Sequence, residues 1–206
     1  MTEKPRLIVG ISGASGVIYG IRLLQVLRDM PVETHLVMSK SAEMTIAYET
    51  DFKPAEVKAL ADVTYPIADI GAAISSGSFR TLGMAVAPCT VRTLSEIASG
   101  VTSTLLTRAA DVVLKERRRL VLLLRETPLH AGHIQSMLRV TEMGAIVAPP
   151  VPAFYTRPET LDQVIDQTVG RMLDLFDIDS DLPQRWGEDV DGKSMKAKGK
   201  AKTDRA

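Results

Sequence analysis

The sequence predicts an α/β fold: a three-layer, doubly wound parallel sheet of Rossmann-like or flavodoxin-like plan, in a single domain. Three observations predict it. Apolar runs of strand length recur without in/out alternation, as in strands covered on both faces. Segments of helical periodicity separate them, and such alternation builds a parallel sheet. At 206 residues and 45% apolar content, the chain is long enough to bury one substantial core and short for two.

The elements follow in order. Leu7–Ile11 is the first apolar run, and the apolar spacing of VIYGIRLLQVLR predicts a helix over Val17–Arg28. Thr34–Met38 is the second strand, followed by a helix over Ser41–Glu49. Residues 51–79 read as irregular and end in the small-residue segment Ile74-Ser75-Ser76-Gly77-Ser78. Met84–Ala87 is the third strand, with helices over Val91–Ala98 and Leu105–Arg118. Leu120–Leu124 leads to a helix over Ile134–Glu142, and Ala145–Ala148 to one over Leu161–Phe176. From Asp179 the periodicity fades. The expected domain is 1–190, with 191–206 a basic, disordered tail.

Charge and composition exclude several function classes. Net charge is zero, but from Gly192 five Lys and one Arg face a single Asp, which leaves the body at −5. Neither that body nor an aromatic content of 4% suits a nucleic-acid partner. The single Cys89 rules out an intramolecular disulfide. Three scattered histidines and the lack of CxxC or HExxH give no metal site. No apolar run reaches the roughly 20 residues that span a bilayer, and MTEKPR has no signal-peptide core. The expectation is a cytoplasmic protein. Asp177, Asp179, Asp181 and Glu188 mimic positions 1, 3, 5 and 12 of a calcium loop, but Leu182 stands where that loop needs Gly.

In doubly wound sheets ligands collect at the carboxyl ends of the strands. SGASG follows the first strand; its glycines allow close backbone approach, and a helix start favours an anion. Gly10, Gly13 and Gly16 give GxxGxxG rather than a dinucleotide or P-loop spacing, so a tight turn explains them as well. Ser39 reads first as a helix N-cap. Cys89 reads as a small buried residue, and Thr90 and Thr93 as caps or ligand donors. Arg125 and Glu126 close an apolar strand, as a mutual pair or as an anion anchor with a proton carrier. Arg108 and Lys115, seven apart, share a helix face that solvation alone could account for. Tyr155 ends the stiff segment PPVPAFY, and Arg171 inside an apolar pattern can snorkel.

Together these segments resemble one family. SGASG, Ser76–Ser78, PCTVRT, RAADVVLKERRRLVLLLRETP, PAFY and Arg-Trp-Gly-Glu are similar to the UbiX-type flavin prenyltransferases, from about Arg6 to Glu188. The resemblance implies that the dimethylallyl group of dimethylallyl monophosphate is joined to N5 and then C6 of reduced FMN, and that the prenylated FMN goes to a UbiD-type decarboxylase. FMN is then a substrate. It implies FMN contacts at Gly13, Ala14, Ser15, Ser39, Thr90, Val91, Arg92, Thr93 and Arg125, and dimethylallyl phosphate contacts at Arg108, Lys115, Tyr155 and Arg171. It implies catalytic roles for Glu126 in proton transfer, for Ser15 in phosphate departure and for Trp186 beside the allyl group. It further implies a homo-oligomer, commonly a dodecamer, whose neighbouring subunits complete the site, and catalysis without a metal. The chemistry agrees: an allylic C–O bond that breaks without a metal needs cationic side chains for the leaving phosphate and a dry, π-rich surround for the carbocation. A related flavin-dependent cysteine decarboxylase would need a PxMNxxM-type segment where PPVPAFY stands. The other reading is a non-catalytic flavin-binding subunit, which would have no use for four additional phosphate ligands.

Overall fold

The computed structural model describes residues 4–190, which form two compact units divided between Pro150 and Val151. The expected basic tail, 191–206, lies outside the described residues.

In the first unit, β1 (Arg6–Ile11), β2 (Glu33–Met38), β3 (Val63–Tyr65), β4 (Gly83–Cys89), β5 (Arg119–Leu124) and β6 (Ile146–Val147) form one parallel sheet in the order β3-β2-β1-β4-β5-β6. The helices are α1 (Val17–Arg28), α2 (Lys40–Glu49), α3 (Pro54–Lys58), α4 (Val91–Ala98), α5 (Leu105–Lys115) and α6 (Ala131–Glu142). The strand order reverses between β1 and β4, so the loops that follow these two strands flank a crevice.

Both faces of the sheet are covered, as the continuous apolar strands require. Ile8, its register partner Met84, Val86, Leu120 and Leu122 pack in one cluster with Leu94 and Ile97 of α4 and with Leu105, Leu106, Ala109 and Val113 of α5. The alternate residues Leu7, Val9 and Ile11 are equally buried. On that face α1 lies so close that a Cβ on Gly20 would stand 2.2 Å from the Ala87 carbonyl oxygen and 2.9 Å from the Ile11 side chain. Each large aliphatic side chain buried there contributes about 1.5–3 kcal/mol of transfer free energy.

Three differences from the sequence reading have local causes. The stretch 51–79 is not wholly irregular: it carries α3, the edge strand β3 and a 3₁₀ turn at Ala73–Ser75. Side chains rather than an apolar pattern hold that edge. Asp62 accepts from the backbone N–H and hydroxyl of Thr34 at 2.7 and 2.9 Å, and the Tyr65 hydroxyl lies 2.9 Å from His35 Nδ1. Helix α5 stops at Lys115 because Arg117 turns left-handed (φ 57°), with Arg118 N–H donating to Val113 O and Arg117 N–H to Leu114 O, a Schellman closure. Helix α6 starts at Ala131, three residues earlier than its apolar spacing suggests, because His130 Nδ1 accepts from Gly132 N–H at 3.1 Å.

In the second unit a 3₁₀ turn, Phe154–Thr156, precedes α7 (Leu161–Asp174), which Thr160 caps through the Gln163 N–H at 3.3 Å.

Candidate functional site

Three loops meet at the carboxyl ends of β1, β2 and β4, and hydrogen bonds knit them together. Ser12, 2% exposed, donates its hydroxyl to Pro88 O at 2.9 Å and accepts from Thr90 N–H at 2.8 Å. Its own N–H also donates to Pro88 O, at 3.2 Å. Ser39 N–H donates to Ile11 O, and Arg125 N–H to Cys89 O, both at 3.0 Å. The ladder between β4 and β5 shifts register between Val86 and Cys89, which turns the Pro88 carbonyl toward Ser12.

Beside this junction lies a cavity of about 330 Å³. Seven hydroxyl-bearing residues line it (Ser12, Ser39, Ser41, Thr90, Thr93, Thr104 and Thr107), with Lys40 and Arg92 as cations and Glu96 as the acid. Ile67 and Leu106 add an apolar surface. Ser39 caps α2 through Ala42 N–H at 3.1 Å, and its hydroxyl lies 2.9 Å from that of Ser41. Thr90 caps α4, accepting from Thr93 N–H at 3.0 Å and donating to the Thr93 hydroxyl at 3.0 Å. Arg92 pairs with Glu96 at 2.9 Å, and Glu96 also receives the Ser103 hydroxyl at 2.8 Å. Such a wall suits a ligand that combines hydroxyls and an anion with a flat apolar part.

Of the expected flavin-contact residues, Ser39, Thr90, Arg92 and Thr93 line the cavity. Gly13 adjoins it: a Cβ there would fall 2.4 Å from the Ser41 Cβ and 2.7 Å from its carbonyl carbon, so only glycine lets the β1 loop approach α2 this closely. Ala14 N–H donates to Ser12 O at 3.0 Å, and Ser15 is exposed. Val91 packs against the core. Arg125 is exposed and Glu126 half-buried; they form no ion pair with each other, and the Glu126 carboxylate instead accepts from Thr127 N–H at 3.0 Å. The Cys89 thiol is wholly buried, which pushes its pKa up to about 12, against a smaller downward pull from a backbone hydrogen bond at Leu94. It is not a nucleophile at neutral pH.

Helix α5 carries Arg108 and Lys115, two turns and roughly 10 Å of rise apart. Neither lines the cavity. Arg108 pairs with Asp111 at 2.8 Å, and Lys115 with Glu116. The small-residue segment packs on this end of α5. Arg118 donates to Gly77 O and Phe79 O, both at 2.7 Å, and a Cβ on Gly77 would lie 2.7 Å from Lys115 Nζ.

The second unit gathers the three remaining expected residues. Tyr155 meets Trp186 edge to face, with ring centroids 5.6 Å apart. Arg171, on α7, bonds Asp174, which also takes both guanidinium nitrogens of Arg185 at 2.9 and 3.0 Å. Burial raises the Asp174 pKa, but the bonds from Arg185 and then Arg171 outweigh it and hold the carboxyl below its ordinary range.

Sequence reasoning missed Ser12, Lys40, Glu49, Glu96 and Gln167. Ser12 carries a signal, being the first polar residue after a continuous apolar strand. Glu49 carries none: its carboxylate crosses 33 positions to accept from Gly16 N–H at 2.7 Å, filling the start of α1, where the glycine-rich turn reads in sequence as open to an anion.

Comparison with known proteins fits this geometry. A family model described as Flavoprotein matches residues 1–185. The chain is 64% identical over 184 residues to the flavin prenyltransferase UbiX of Escherichia coli (strain K12), covering 88% of this chain and 97% of that one. Among solved structures, AnUbiX (PadA1) in complex with FMN and dimethylallyl pyrophosphate gives a TM-score of 0.88 at 54% identity, covering 89% of this chain and 98% of that one. A dodecameric FMN-dependent UbiX-like decarboxylase from Escherichia coli O157:H7 gives 0.86 at 52% identity, covering 88% and 98%. A hydroxyl-lined cavity at the switch point of a doubly wound sheet, and identity on this scale over nearly nine-tenths of the length, lead to one conclusion: the chain belongs to the UbiX-type flavin prenyltransferases.

Proposed function

We propose that this protein joins the dimethylallyl group of dimethylallyl monophosphate to N5 and C6 of reduced FMN, and that the prenylated FMN passes to a UbiD-type decarboxylase. The observation that carries the reading is the cavity beside the loops that follow β1 and β4, in a chain so similar to one whose structure holds FMN and dimethylallyl pyrophosphate. The residues fit FMN. Hydroxyls of Ser39, Thr90 and Thr93 with Arg92 suit a ribityl phosphate, Ile67 and Leu106 suit a flat ring, and Gly13 lets the β1 loop close against Ser41 at the edge of the cavity. Arg125 and the Gly13-Ala14-Ser15 turn complete the contacts, with Val91 supporting the start of α4. Reduced FMN supplies the nucleophilic nitrogen and carbon that take up the prenyl group.

The side chains of this protein do the rest. Arg108, Lys115, Tyr155 and Arg171 bind the phosphate and take up the second negative charge that develops as the allylic C–O bond breaks. The Ser15 hydroxyl donates to the departing phosphate. Trp186, held against Tyr155, gives the allyl cation a π surface. Glu126 carries the proton released as the second bond closes, on a carboxylate oriented by Thr127 N–H. The cationic side chains supply charge where other prenyl transfers use a metal, so the reaction is metal-independent.

Arg108 and Lys115 lie outside their own protomer's cavity, which supports their serving a neighbouring subunit, and a homododecamer like that of the Escherichia coli O157:H7 relative follows from the reading. Among the described residues no helix is long and apolar enough to cross a membrane; we assign the protein to the cytoplasm. Incubation with reduced FMN and dimethylallyl monophosphate, followed by mass spectrometry of the flavin, tests the reading. A five-carbon gain is expected, and an unmodified flavin leaves only a flavin-binding subunit.

A further inference from the structure

The second unit contains a polar side chain that the reaction has not yet used. Gln167, on α7, is 6% exposed, which for an amide requires partners. It has them on both ends. Its Oε1 accepts from Gln184 N–H at 2.8 Å, and its Nε2 donates to Gln184 O at 3.1 Å and to the Tyr155 hydroxyl oxygen at 3.4 Å. One buried amide thus engages the backbone N–H and the backbone C=O of a single residue, two residues before Trp186, and touches the phenol that Trp186 packs against.

Two further contacts fix the same segment. A Cβ on Gly170 would stand 2.4 Å from the Pro183 ring, so α7 receives that proline without a gap. Arg185 is anchored to Asp174 by its two guanidinium bonds. Residues 183–185 are therefore tied to α7 three times in succession, and Trp186 is delivered at the end of the tie.

From this geometry we infer that Gln167 is a positioning residue, which sets the direction of the Tyr155 hydroxyl and fixes Trp186 beside it. A phenol has one proton and two lone pairs. An N–H donor from Gln167 engages a lone pair, so the phenol's only proton stays available for an acceptor in front of the ring. On the reading of Tyr155 as a phosphate ligand, that acceptor is the phosphate of the prenyl substrate. The inference rests on that reading for its consequence, but not for the clamp itself.

The two parts separate experimentally. Trp186 is the sole tryptophan of the chain, so its fluorescence reports on the clamp with no substrate present. Trp186 is already 63% exposed, so the clamp is read as mobility: in Q167M the fluorescence anisotropy of Trp186 should fall by roughly a third. The KM for dimethylallyl monophosphate should rise roughly tenfold, the cost of one misdirected hydrogen bond to a charged group. FMN affinity should stay within twofold. A merely structural role would lower all activity through the folded fraction and leave KM alone. Unchanged anisotropy or an unchanged KM overturns the inference. Should Q167M fail to fold, Q167E keeps the acceptor for Gln184 N–H, removes the donors, and is read in the same two ways. Y155F run in parallel isolates the premise. If Y155F leaves KM unchanged, the phosphate role of Tyr155 falls, and Trp186 anisotropy in the Gln167 variants alone decides the clamp.

Discussion

Ser12→Ala tests whether one hydroxyl holds the switch point together. The substitution removes a single oxygen from a residue 2% exposed and opens almost no cavity, so its effect is nearly all hydrogen bonding. Pro88 O keeps its bond from Ser12 N–H at 3.2 Å, so the acceptor is still served. Thr90 N–H loses its 2.8 Å partner and is left without one beside the first turn of α4. A buried donor stripped of its partner costs about 1–3 kcal/mol, and Thr90, half-buried at the cavity wall, belongs at the low end. Taking about 1 kcal/mol, a chain of this size should lose about 2–4 °C in Tm. Urea unfolding followed by circular dichroism, at one fixed protein concentration, measures the difference, and quenching of flavin fluorescence on titration measures the effect on FMN. Affinity should fall, because the Ser12 N–H to Pro88 O bond is then left alone to tie the loops after β1 and β4. Ser99→Ala, at an exposed helix end, is the control and should stay within about 0.5 kcal/mol. If Ser12→Ala behaves like that control in both assays, the junction is not organised by this hydroxyl.

Glu126→Gln should slow formation of the prenylated product by about 10²–10⁴-fold while FMN binding holds, since the amide keeps the shape and loses the proton acceptor; lost flavin binding would count against the proton-carrying role. Cys89, with its thiol pushed up to about 12 by burial, should resist iodoacetamide at pH 8 in the folded protein and react fully in urea; mass spectrometry of the alkylated chain decides it. Asp174 has a folded-state pKa below its unfolded one, so its stabilisation is complete above the ordinary carboxylate range and disappears as pH falls through the folded value. D174N should accordingly be less stable than the parent at pH 7, with the gap closing below about pH 4, and a gap constant down to pH 2 would show that the carboxylate makes no net contribution.

What the sequence made legible follows the strength of each physical signal. The five apolar strands and the long helices could be read because burial on both faces forces an unmistakable composition. The edge strand Val63–Tyr65 could not, because it is held by Asp62 on Thr34 and by Tyr65 on His35, bonds between residues about 30 positions apart. The end of α5 was misplaced for a related reason: the Schellman closure runs through Arg117, where a glycine would have announced it. At the site, residues that follow strands could be proposed from position alone, and Ser39, Thr90, Arg92 and Thr93 do line the cavity. Glu49 and Gln167 could not, since what they do is cross the chain, and no local pattern encodes a partner 33 or 17 positions away.

The cations proposed for the phosphate share a feature that bears on how the site works. Each has a carboxylate within reach before any substrate arrives: Asp111 for Arg108, Glu116 for Lys115, and Asp174 for Arg171. The Arg108–Asp111 pair is more than a third exposed on both sides and is worth about 1 kcal/mol or less, so a phosphate easily displaces it. Arg171 differs because its partner is largely shielded, and a shielded carboxylate abandoned by its cation would be costly. Asp174 escapes that cost. Arg185 keeps two bonds to it, so Arg171 can turn to the phosphate while the carboxylate stays paired. Arg185 is in this sense the residue that frees Arg171, and R185Q should weaken the binding of dimethylallyl monophosphate by leaving Arg171 as the only cation Asp174 can hold.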